Sequence, residues 1–93
     1  MRIVKILKRM YIEFWWDSFT ALSEKDQDIQ RERCQVPFNS AESDVLWKAL
    51  SDVRRKQSRI CKRLGLSEAV IGLPVRRKYG KLPRAPEWLL PKM

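Results

Sequence analysis

The sequence predicts an all-α fold: two amphipathic helices packed as a hairpin or irregular helical fold, with a polar connector and an extended basic Pro-rich C-terminal arm. Three observations lead there. Apolar side chains recur at helical spacing over residues 3–22 and again over 40–64. The second stretch carries helix-start and helix-stop residues at its two ends. Pro74, Pro83, Pro86 and Pro91 fall in the arm, where each fixes φ and removes a backbone donor.

Ninety-three residues make one domain at most, and a chain this short buries only about 60–65% of its unfolded surface. The expected units are a small helical domain over 1–73 and the arm over 74–93. A core of that size leaves stability to be completed by a partner, so the chain is not expected to act as an isolated monomer.

The first helix is predicted over about residues 3–22. At about 100° per residue, Ile3, Val4, Leu7, Met10, Tyr11, Phe14, Trp15, Ala21 and Leu22 share one face, with Lys5, Arg9, Glu13 and Thr20 on the other. Ile12, Phe19 and Ile6 widen the stripe, and Trp16 projects from the polar side. One neighbouring helix cannot cover so broad a face. Within the stretch YIEFWWDSF, Tyr11, Phe14, Trp15, Trp16 and Phe19 are therefore candidates for a protein interface, or for a lipid interface that favours apolar rings with polar tips.

The first twelve residues, MRIVKILKRMYI, carry four basic side chains and no acidic one, the composition of a mitochondrial import signal. A mitochondrial location with an uncleaved signal is the expectation; the same residues also suit the basic start of a structural helix. Lys5, Lys8, Arg9 and Glu13 break the one apolar run that approaches a membrane span. Contact with a membrane surface is compatible with this pattern, whereas crossing or secretion is not expected.

Residues 23–38, SEKDQDIQRERCQVPF, read as a polar connector. Ser23 with Asp26 resembles a capping arrangement, so a short exposed helix ended by Pro37 is expected there. The second long helix, about 40–64, starts after Asn39 and Ser40, has Glu42 and Asp44 in its first turn, and stops at Gly65 with Leu66 placed to close a Schellman cap. Leu46, Leu50, Val53, Ile60 and Leu64 form its seam, with Ala49 and Cys61 beside them and Gln57 as the one interruption. A short helical turn is expected over 67–72.

Charge is distributed unevenly. From Trp47 onward there are 13 basic and three acidic residues, a net of +10 against +9 for the whole chain, so the middle of the sequence is acidic. Lys48, Arg55, Arg59 and Lys62 share a sector opposite the seam and form a ridge on the order of 20 Å long. In the arm, Arg76, Arg77, Lys78, Lys81 and Arg84 surround Tyr79. Positive charge at backbone spacing, interleaved with an aromatic ring, suits phosphate contact with occasional base stacking. Trp88, Leu89 and Leu90 are of different character and are expected to dock on a protein surface.

Residues 59–73, RICKRLGLSEAVIGL, resemble part of a DNA-binding helix-turn-helix, with Gly65 at the turn and Ser67 opening a second helix. Gly72 and Pro74 depart from that pattern, because they would break the recognition helix. A small DNA-binding protein is what the resemblance implies.

No catalytic, metal or cofactor site is predicted. The chain has no histidine, no glycine-rich phosphate loop and no activated nucleophile, and Cys34 and Cys61 lie too far apart for a paired metal motif. The expected function is that of a non-catalytic structural subunit of a large assembly. A mitochondrial ribosomal protein touching rRNA and neighbouring subunits comes first, and an accessory subunit of a respiratory-chain complex at the membrane surface second.

Overall fold

The computed structural model describes residues 2–91, with the side chain of Arg2 excepted. Two long helices dominate it: α1, Arg2–Arg33, and α2, Ala41–Leu64. They pack side by side as an antiparallel hairpin, followed by one turn of 3-10 helix at Glu68–Val70. The radius of gyration is 15.8 Å, against the roughly 12 Å of a compact domain of this length. The molecule is a rod of 56 × 29 × 17 Å.

The first helix runs eleven residues further than the sequence predicts, absorbing positions 23–33 of the expected connector. Those positions hold Glu, Lys, Gln and Arg, which lose little rotamer freedom in a helix, and Arg31 and Arg33 in the last turn oppose the partial negative charge of the helix end. Ser23 is therefore an interior residue of α1 and not a cap. The chain turns at 34–40, where Asn39 takes a positive φ of 63°, and Ser40 caps α2 by accepting from the Ser43 amide. At the other end Gly65, at φ 71°, closes α2 while the Leu66 amide donates to the Cys61 carbonyl, the long bond of a Schellman cap.

Two apolar clusters hold the hairpin. Phe19, Ile60 and Cys61 form one, with Trp15, Leu22, Leu64, Leu66, Val70 and Ile71 against it. Ile29, Leu50 and Val53 form the other, near the closed end, with Leu46 and Ala49. Between them lies a polar layer. Gln57 is fully buried and donates through Nε2 to the Ser23 hydroxyl at 2.7 Å and the Phe19 carbonyl at 3.3 Å. Asp26, 1% exposed, accepts from Arg54 at 2.9 Å and from Gln30. These pairs fix the register, because a slip of the helices would strand buried polar groups.

The face that α1 buries also differs from the predicted one. Thr20, expected on the polar side, is buried, its hydroxyl donating to the carbonyls of Trp16 and Asp17. Ala21, expected toward the core, is exposed. Asp26 facing Arg54, and Ser23 facing Gln57, place the end of α2 level with the middle of α1. Residues 3–14 consequently extend beyond α2.

Residues 74–91 contain no helix and lie against α1. The Val75 amide donates to Gln27 Oε1 at 2.9 Å, Arg77 grips Glu24 through two bonds of 2.7 and 3.0 Å, and the Trp16 indole donates to the Pro83 carbonyl at 3.2 Å. The segment thus runs back toward the start of α1. Tyr79 and Gly80, both at positive φ, turn it between the paired Lys78 and Lys81, as a two-residue hairpin loop requires.

Candidate nucleic-acid interface

Lys48, Arg55 and Lys62 stand on the side of α2 remote from α1, Arg59 lies at the margin of that sector, and all four are exposed. The helix positions them because the seam that meets α1 occupies the opposite sector. Arg55 makes a loose pair with Asp52 at 3.9 Å, with both side chains more than half exposed, a contact that adds little. Among the described residues no carboxylate pairs with Lys48, Arg59 or Lys62.

A second basic row was not anticipated from the sequence. Lys56, Arg59 and Arg63 rim a cleft of about 320 Å³ whose floor is Trp15, Leu22 and Ile60, and the Arg63 guanidinium lies 4.8 Å over the Trp15 ring. Their spacing of three and four residues was a readable signal. A wider cleft of about 470 Å³ at the closed end is lined by Glu32, Glu42, Val36, Val45 and Leu46, a charge sign unsuited to phosphate.

The arm contributes unequally. Arg76, Lys78, Lys81 and Arg84 are exposed, as is Tyr79 at the loop tip. Arg77 is occupied: its bidentate grip on Glu24 holds that carboxyl below the usual carboxylate range, through hydrogen bonding first and charge attraction second, and raises its own pKa in turn. Arg84 borders a small cleft with Glu13, Asp17 and Ala85.

The aromatic set divides likewise. Phe19 is buried in the core, and Trp16, half-buried, stacks on it at 5.8 Å while its indole bonds to Pro83. Trp15 is half-buried beneath Arg63, whereas Tyr11 and Phe14 are exposed, packing edge-on to Trp15 at 6.2 and 5.3 Å. In the arm Trp88 is exposed and Leu89 and Leu90 are half-buried.

Cys61 is buried, and desolvation, together with the weaker influence of the nearby Glu68 charge, pushes its thiol pKa up; Cys34 is exposed. Among the described residues no group of three or more Cys, Asp or Glu side chains is arranged to hold a metal ion. Beyond Gly65 the chain forms only the three-residue 3-10 turn, so the recognition helix of a helix-turn-helix is not formed among the described residues. No helix among the described residues is long and apolar enough to cross a membrane. No protein-family model, curated protein or solved structure matches the chain.

Proposed function

We propose that the chain is a non-catalytic structural subunit of a large RNA–protein assembly, with a mitochondrial ribosome as the first candidate. The observation that supports this reading is the row of Lys48, Arg55, Arg59 and Lys62, exposed between residues 48 and 62 of α2 while the hairpin is held by other residues. A rigid helix carrying cations at this spacing meets successive phosphates without reading base identity. Arg76, Lys78, Lys81 and Arg84 extend the positive surface on the arm. Contact with neighbouring proteins falls to apolar side chains that the hairpin leaves uncovered, Phe38, Val45 and Trp47 at the closed end and Trp88 in the arm.

The test is RNA binding as a function of salt. Changing Arg55, Arg59 and Lys62 together to Gln should lower affinity for a structured RNA and flatten the dependence of log K on log salt by about two to three units. Helicity should be unchanged, since all three side chains are exposed. An unaltered salt slope would return the row to the status of a solvated helix face.

A further inference from the structure

Beyond the end of α2, the first turns of α1 carry an apolar surface that the rest of the molecule does not cover. Ile3 is 73% exposed, Val4 64%, Leu7 59%, Met10 60% and Phe14 62%. With Tyr11 included, and with Ile6 and Val4 at its edges, this surface fills an arc of roughly 160° at about 100° per residue. Ile12, Phe19 and Ser23, which are buried, lie on the opposite side of the helix. The apolar arc therefore faces away from the hairpin, over roughly three turns.

The arc is wider than a two-helix seam, which uses two positions in each heptad, and patches of this kind mark interaction sites. The remainder of the helix surface is mainly cationic: Lys8 and Arg9 flank the arc and Lys5 lies opposite it, with one carboxylate, Glu13, itself 3.5 Å from Arg9. An apolar face backed by a basic one is the pattern of a helix that lies in an anionic lipid surface. Beside Tyr11, Trp15 is covered by the Arg63 guanidinium, an amphipathic aromatic and a cation side by side, as at the headgroup level of a bilayer. The helix is too short in apolar residues to cross a bilayer, but it meets the requirements for lying in its surface.

We propose that residues 3–14 of α1 form an in-plane anchor for an anionic lipid surface, with α2 and the arm held on the water side. This surface is separate from the outward row of α2, and the inference does not rest on RNA binding.

The full chain should be tested by flotation with phosphatidylcholine vesicles, with and without phosphatidylglycerol. Wild type should bind, with a partition coefficient roughly ten- to a hundred-fold higher when anionic lipid is present, the increment expected for two or three cations near the surface. Leu7→Glu with Phe14→Glu should abolish binding to both vesicle types while circular dichroism stays near wild type, because both residues are exposed. Lys5→Gln with Lys8→Gln should keep the weaker phosphatidylcholine binding and lose the preference for anionic lipid. Wild-type protein that does not float with either vesicle overturns the proposal, whatever the variants do. So does equal binding by the Leu7→Glu, Phe14→Glu variant, or a sedimentation-defined dimer that this variant dissociates while wild type ignores vesicles.

Discussion

One helix, α1, contains two regions with opposite logic. Residues 3–14 present large apolar side chains to the outside, whereas residues 19–29 bury Thr20, Ser23 and Asp26 alongside Phe19 and Ile29. Judged by hydrophobicity the first region is the better core. What decides is the reach of the partner: α2 is 24 residues long and α1 is 32, and the Asp26–Arg54 and Ser23–Gln57 pairs set α2 against the second half of α1. Burial depends on which backbone lies opposite, and polar groups are carried inside where a hydrogen-bonding partner meets them.

The sharpest test of this contrast uses two phenylalanines of the same helix. Phe19→Ala should destabilise the protein by about 3–5 kcal/mol through loss of buried contacts and the cavity left behind. Phe14→Ala should change stability by no more than about 0.5 kcal/mol. Urea denaturation of the two variants measures both, and comparable losses would mean that the outward apolar arc of residues 3–14 has an intramolecular partner.

A smaller effect is expected in the polar layer. Asp26→Ala leaves Arg54 and Gln30 without their carboxylate and should cost about 1–3 kcal/mol. Asp28→Ala removes a mostly exposed pair with Arg31 at 3.6 Å, and should cost between 0 and about 1 kcal/mol. If the two substitutions proved equivalent, the layer would not be what sets the register.

The smallest effect concerns how the arm is held. Glu24 has its pKa lowered in the folded chain by Arg77, so the contribution of this pair is complete above the ordinary carboxylate pKa and is lost as pH falls through the lowered value. Protection of the Val75 amide against hydrogen exchange should weaken over that acid range. Glu24→Gln should show the weakened protection at neutral pH as well, with the hairpin amides unaffected at either pH.

The second helix was legible almost to the residue, because its limits are local: Ser40, Gly65 and Leu66 act on the nearest turn of backbone. The outward row of α2 was legible for the same reason, since its members share a sector of one helix. The end of α1 was not, because 23–33 lacks the apolar period that marks a helix and is stabilised by polar partners remote in sequence, Gln57 and Arg54. Nor was the division of the aromatic residues, or the capture of Arg77 by Glu24 across 53 positions. The sequence by itself determined two helices, the caps of α2 and a basic outer side, all consequences of spacing along one chain. Only the tertiary structure decided that Phe19 and not Phe14 is core, and that the broadest apolar face of the molecule stays uncovered. Those outcomes depend on the register between two helices, which is set by side chains meeting in space.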